Sequence, residues 1–349
     1  MALTYQAGRR IQGTATDRAE VPAISGGWKE LGRTSGSRAS GATLDVSSLD
    51  DKRYYMVLYE TQGSSTYTCD YRLNGDSGNN YAYRANQNGT SETTNTSTNF
   101  MFGDYGGIPL DKFAVAYFAN LDTKEKLGIS HQVRQQTAGS GTAPTRADYV
   151  HKHAQTSNRI NQISLLNRGP NTSTSGEIVV LGWDPDDTHT DNFWEELASV
   201  QGNGTSTTLS SGTIPAKKYL WVQGFTGDAG GANNSALQFN SDTGSNYATR
   251  RNLDGGSDTT WLSQAYTQLG TNTNCFFNTF IINNSANEKL AITHWVQRST
   301  AGAANAPSRG EFVGKWANTS NQITNVTLMQ QTTSINWGTD VHLKVWGSN

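Results

Sequence analysis

The amino-acid sequence predicts an all-β protein made of two tandem, sequence-related β-sandwich modules, each jelly-roll-like. Three observations carry this. Only 34% of the 349 residues are apolar and 16% are charged, while Asn, Thr, Ser and Gly are abundant. Apolar residues alternate with polar ones in short runs bounded by turn-forming clusters. Most informative, the chain is written twice.

The length suffices for two ordinary domains, each with a core of its own. Few charges among many small polar residues fit polar turns and a hydroxyl- and amide-rich surface, not charged disorder. Glu, Lys and Leu do not cluster at helical spacing, so no substantial helix is expected. The formal net charge is −2 and the basic residues are scattered. A nucleic-acid partner requires a basic stripe, so none is expected. The first twenty residues contain no apolar signal core, and the apolar run from Phe113 to Ala119 is too short to cross a bilayer. Neither secretion nor membrane insertion is expected. Cys69 and Cys275 stand at non-equivalent places in the two copies and read as free thiols of a chain folded in a cytoplasm.

The duplication runs through the chain in order. GWKELG around Trp28 matches FWEELA around Trp194, and KRYYMV from Lys52 matches KKYLWV from Lys217. NGDSGNNYAYR from Asn74 matches NSDTGSNYATR from Asn240. KEKLGISHQV from Lys124 matches NEKLAITHWV from Asn287, and TAGSGTAPTR from Thr137 matches TAGAANAPSR from Thr300. HAQTSNRI from His153 matches WANTSNQI from Trp316, and VVLGW ending at Trp183 matches HLKVW ending at Trp346. A repeat of about 155 residues is one domain per copy, too long for a solenoid unit. The expected organisation is therefore an arm at 1–27, a first module at 28–183, a linker at 184–192 and a second module at 193–349. The arm has no counterpart in the second half and reads as disordered or as ordered on a partner.

Within the modules, Leu127, Ile129, His131 and Val133 alternate with Gly128, Ser130 and Gln132, and read as an inward strand face. Leu290, Ile292, His294 and Val296 repeat it. The last strands differ. VHLKVW puts Val341, Leu343 and Val345 on one face and His342 and Lys344 on the other, whereas IVVLGW is apolar on both, with Val179 and Leu181 outward. A strand apolar on both faces is covered on both. The outer face at Val179 and Leu181 is thus expected to pack against the second module or another subunit.

The repeated loop offers oxygens at alternate positions, Asn74, Asp76 and Asn80 in one copy and Asn240, Asp242 and Asn246 in the other. Calcium loops do the same, but one acid per loop and no closing glutamate argue against a metal. The preferred reading is structural. The Asp or Asn of each loop caps a tight turn, Gly78 and Gly244 take unusual backbone geometry, Tyr81 and Tyr247 pack, and Arg84 and Arg250 tie the loop. His151 and His153 face Gly314 and Trp316 in the alignment, so they define no module-wide metal site. His131 and His294 recur and read as buried histidines with one hydrogen-bond partner each. No cofactor is expected. The chain lacks G-x-S-x-G, H-E-x-x-H and Walker A sequences, and adjacent Glu195 and Glu196 point to opposite strand faces, so an enzyme is not expected. Trp261 and Tyr266 lie in a loop-like stretch without aromatic counterparts and are the candidates for a sugar-binding loop.

With the repeat laid out, the chain resembles a group of virion structural proteins from marine viruses of bacteria and archaea. The resemblance rests on the twice-written N-x-D-x-G-x-N-Y-A-x-R stretch, the EKL-x-I-x-H strand, TAG followed by A-P-x-R, and the WANTSNQI and LGWDPDDTHT segments. It covers nearly all the chain from Trp28 onward and transfers no functional residue. It implies a particle component made in the host cytoplasm: a capsid or decoration protein, or a fibre or spike subunit. The expected partners are further copies of the chain and other virion proteins. If three chains associate, six similar modules surround one axis. The alternative is a receptor- or glycan-binding fibre protein with a host-surface glycan as partner.

Overall fold

The computed structural model describes residues 27–349 except 64–65, 105–109, 174, 188, 190, 228–233, 271–273, 299–300 and 332–335. The arm expected at 1–27 lies, apart from Gly27, outside the described residues. The protein is all-β, with antiparallel sheets and no helix among the described residues.

The first half contains β1 (Lys29–Ser35), β2 (Thr43–Ser47), β3 (Tyr54–Gln62), β4 (Asp70–Leu73), β5 (Tyr81–Gln87) and β6 (Thr93–Thr98). It continues with β7 (Lys112–Ala119), β8 (Lys126–Arg134), β9 (Thr145–His153), β10 (Gln162–Leu166) and β11 (Ser175–Trp183). One sheet runs β1-β11-β3-β7-β8-β9-β5-β6 and a smaller one β2-β10-β4. The second half contains β12 (Glu195–Gln201), β13 (Thr208–Ser210), β14 (Tyr219–Thr226), β15 (Ser235–Phe239), β16 (Tyr247–Leu253) and β17 (Thr259–Gln264). After these come β18 (Thr267–Gly270), β19 (Cys275–Ile282), β20 (Lys289–Gln297), β21 (Ser308–Trp316), β22 (Val326–Gln330) and β23 (His342–Ser348). Its sheets run β12-β23-β14-β19-β20-β21-β16-β17 and β13-β22-β15-β18. Strand for strand the orders coincide, β18 being the one addition. Even the bulges recur, at Glu30/Gly32 and Glu196/Ala198 on the first strand of each half.

Each half closes one core between its large and small sheets. In the first, Tyr55, Val57 and Ala116 of the large sheet meet Val46, Tyr71 and Leu165 of the small one. In the second, Leu220, Val222 and Phe277 meet Leu209, Leu237 and Leu328. A large apolar side chain buried in this way stabilises by roughly 1.5–3 kcal/mol, so such cores hold each half together.

A third core lies between the halves. Alternate residues of the same strands turn outward: Met56 and Leu58 of β3, Phe113 and Val115 of β7, and Val179 and Leu181 of β11. They cluster with Tyr219, Phe280, Ile282, Leu290, Ile292 and Val313 of the second half. Val179 and Leu181 are both 0% exposed. The doubly apolar β11 is therefore covered within the chain itself. On β23 the positions paired in the same register are Lys344 and Trp346, both only half-buried, because no sheet lies over them.

One facing differs from the sequence reading. Leu127 and Ile129 do not point into the core of their own half; they are 57% and 50% exposed. The inward side of β8 carries Ser130 and Gln132 instead. Their side chains reach the buried hydroxyls of Tyr71 (3.4 Å) and Tyr59 (2.6 Å). A polar tyrosine network in that core reverses the usual sign of the alternation.

Candidate functional site

The repeated loop is a structural turn in both copies. Asn74 and Asn240 take the left-handed backbone at φ 56° and 51°. Their side-chain amides donate across to the Arg159 and Gln322 carbonyls, each at 2.8 Å. Asp76 accepts from the Gly78 amide at 2.7 Å and the Asn80 side chain at 2.9 Å; Asp242 accepts from Gly244 at 2.8 Å and Asn246 at 2.9 Å. Gly78 and Gly244 are required for space, not for a positive φ as expected. A Cβ there would stand 2.9 Å and 2.7 Å from the Asn80 and Asn246 amides.

Tyr81 and Tyr247 pack as expected, but their partners were not legible in advance. Tyr81 stacks on His153 with ring centroids 4.4 Å apart, and Tyr247 stacks on Trp316 at 6.2 Å. His153 Nε2 lies 2.8 Å from Asp76, and Trp316 Nε1 donates to Asp242 at 2.7 Å. Histidine and tryptophan thus fill one role, a flat ring with an edge nitrogen. Burial raises both aspartates, but the His153 and Trp316 contacts and the turn amides outweigh it and hold them below the usual carboxylate range. With Asp76 and Asp242 spent on these bonds, the loop is a turn clamp.

Arg84 and Arg250 do not tie their own loops. Arg84 pairs with exposed Glu92. Arg250 donates from Nε to the Pro144 carbonyl of the other half at 2.8 Å. Trp261 lies on strand β17 and not in a loop, and the Arg251 guanidinium covers its ring at 4.5 Å. Tyr266 sits in the link to β18, and no ring contact joins the two. The structure does not assemble them into one sugar platform.

What it does assemble is a junction between the halves. The turn joining β8 to β9 lies on the second half: Lys315 donates to the Gln135 carbonyl at 3.3 Å and to that of Thr137, and Ser263 N–H to the Ser140 carbonyl at 3.0 Å. Tyr219 donates to Glu177 at 2.8 Å, and Lys218 bridges Glu60 and Glu177 at 3.0 and 3.1 Å. Buried Arg146 reaches Asp148, Glu311 (2.9 Å) and Asp258 (3.2 Å), the last two from the second half.

Beside Arg146, the rings of His131 and His294 meet at a tilt of 58° with centroids 4.0 Å apart, and His131 Nδ1 lies 2.9 Å from Asp148. Desolvation between the sheets holds His131 down to about 4 and His294 well below the ordinary range. His131, Asp148 and His294 bring their ligand atoms within 4.8 Å of one another, the one such group among the described residues. Both Asp148 oxygens are already engaged, one with His131 Nδ1 and the other with the Arg146 guanidinium, which argues against a metal there. As it stands the cluster ties two sheets together. His131 and Asp148 line a cleft of about 450 Å³ with Arg84, Glu92, Arg309 and Glu311.

Next to the junction the outer face of the first sheet is bare. Tyr54, Leu127, Ile129 and Val150 are 37%, 57%, 50% and 47% exposed. Trp28, Trp183 and Tyr117 border them, around an apolar hollow of about 350 Å³. Leu127, Ile129, Val150, Arg84 and Lys152 also line a trough of about 610 Å³. Sequence reasoning missed this face because it assigned Leu127 and Ile129 to the interior.

No protein-family model matches the chain, and no curated protein is detectably similar to it. Among solved structures, a human group IVD cytosolic phospholipase A2 aligns over 76% of this chain and 33% of its own, at 8% identity and a TM-score of 0.12. The chain thus spans a third of that enzyme's length. The binding domain of botulinum neurotoxin serotype D/C aligns over 87% of this chain and 99% of its own, again at 8% identity and a TM-score of 0.12. Neither likeness is close enough to carry an argument.

Proposed function

We propose that the protein is a non-enzymatic structural subunit of a virus particle, a capsid or capsid-decoration protein that associates with further copies of itself. In this reading each half is a jelly-roll-like β-sandwich, supported by an eight-stranded sheet facing a smaller one over a single core. The observation that carries the reading is the bare apolar face at Tyr54, Leu127, Ile129 and Val150. Contiguous exposed apolar patches on soluble proteins mark interaction surfaces. This one continues a face the chain already uses to hold its halves together. The sequence resemblance to virion proteins points the same way.

The test is negative-stain electron microscopy of the purified, concentrated chain. Regular particles, sheets or filaments support a particle subunit, and isolated single chains at every concentration contradict it.

A second reading, a glycan-binding fibre or spike protein, has one observation in its favour. The cleft of about 450 Å³ between the halves offers arginines and carboxylates side by side, and such groups hydrogen-bond sugar hydroxyls. Binding of simple saccharides, lost in Arg84→Ala, would favour it.

A further inference from the structure

Six large apolar residues at the junction have an apolar equivalent in the other half that is treated oppositely. Phe113 is 1% exposed and Phe276 is 46%; Val133 is 0% and Val296 is 43%. On the other side Leu290, Ile292 and Val313 are 1%, 2% and 1% exposed, whereas Leu127, Ile129 and Val150 are 57%, 50% and 47%. Tyr219 is 0% and Tyr54 is 37%. The first half thus contributes the Phe113/Val133 end of its sheet, and the second half the Tyr219/Leu290/Ile292/Val313 end. Each half leaves its other end unused.

The turns follow the same rule. The β8–β9 turn of the first half buries Ala143 and Pro144 against the second, with Arg250 and Lys315 donating to its carbonyls. The equivalent turn, residues 301–307, is exposed throughout. Arg84 and Lys152, the equivalents of Arg250 and Lys315, border the open trough of about 610 Å³. Their present partners are the surface carboxylates Glu92 and Glu125, and exposed pairs of that kind are cheap to exchange.

A contact between the tail of one unit and the head of the next leaves a free tail and a free head, and it repeats until a ring closes or a filament grows. We infer that the bare face of the first half receives the second half of another copy of this chain. Phe276 and Val296 cover Tyr54, Leu127, Ile129 and Val150, and the 301–307 turn lies in the trough between Arg84 and Lys152. The occupant is argued from continuity. The chain already joins the equivalents of these residues internally; Phe276 and Val296 keep the apolar character of Phe113 and Val133, while Gln223, Asn278 and Lys344 stand where the internal joint has Leu58, Val115 and Val179. The inference rests on the self-associating reading above and specifies the surfaces that reading leaves open.

The experiment measures native mass for three proteins by light scattering: wild type, Ile129→Asp and Phe276→Asp. Both substitutions fall on exposed positions, and unchanged thermal melts verify folding. Wild type is expected to exceed the 37.8 kDa of one chain and to grow over a roughly tenfold rise in concentration. Each variant alone is expected to stay at one chain mass. Mixed in equal amounts, the two should give twice the chain mass and stop there. The intact Phe276 end of one variant fits the intact Ile129 face of the other, and each remaining end is blocked. Lys152→Glu should also weaken assembly while leaving the apolar positions intact.

A mixture that stays at one chain mass overturns the head-to-tail arrangement. Variants that assemble like wild type overturn the inference while leaving the subunit reading standing. A wild type that never exceeds one chain mass overturns both.

Discussion

Val179 and Lys344 occupy the same position in the two halves, paired with Leu58 and with its counterpart Gln223, yet Val179 is fully buried between the sheets and Lys344 keeps its side chain 24% exposed. One sheet is covered at its β11 edge and the other is bare there, so one ancestral position has acquired opposite chemistry. Val179→Lys places an ammonium in the junction and should destabilise the chain by about 3 kcal/mol or more. His342→Lys should stay within about 0.5 kcal/mol, as exposed substitutions do. Denaturant unfolding of the two variants checks this. Val179→Lys therefore tests the fold of the junction before it tests any assembly.

Arg146 and Arg309 form a similar contrast. Arg146 is buried against Asp148, Asp258 and Glu311, whereas Arg309 is 63% exposed at its side chain beside Glu311. Arg146→Ala strands carboxylates at the junction and should cost about 3–5 kcal/mol. Arg309→Ala should cost less than about 1 kcal/mol. Chemical unfolding curves separate the two.

The paired histidines give stability a pH dependence. Burial between the halves holds His131 down to about 4 and His294 well below its ordinary range, against roughly 6.5 in an unfolded chain. The folded state therefore binds fewer protons than the unfolded state across that interval. The stabilisation is present above about pH 6.5 and is lost as pH falls toward 4. Asp76, Asp242 and Glu311, all held below the usual carboxylate range, release theirs further down. Melting temperature should fall between pH 6.5 and 4.5 in wild type, and fall less in the double variant His131→Gln/His294→Gln.

The turn clamps are testable separately. Asp76→Ala orphans the Gly78 amide, the Asn80 side chain and the His153 ring nitrogen, and should cost about 1–3 kcal/mol. His153→Trp reproduces the second half's solution and should cost much less. Thermal melts of both variants check the exchange.

Much of this was legible in the sequence. The duplication, the strands and the cover over Val179 and Leu181 follow from repeats, alternation and a doubly apolar strand. The failures share a cause. Leu127 and Ile129 looked interior because periodicity gives a face without saying which side is dry. Ser130 and Gln132 made the inner side look outer because their tyrosine partners are distant in sequence. His153 as partner of Asp76, and Arg250 as partner of Pro144, are long-range contacts that local spacing does not encode. Gly78 was read through its backbone freedom, whereas the nearby Asn80 amide and Asp76 carboxylate deny it a side chain.

The most direct measurement is the native mass of the wild-type chain in solution as concentration rises. Mass that climbs in whole multiples of 37.8 kDa is the expected result, because the proposed arrangement gives each copy a free head and a free tail. A mass fixed at 37.8 kDa across that range would contradict it.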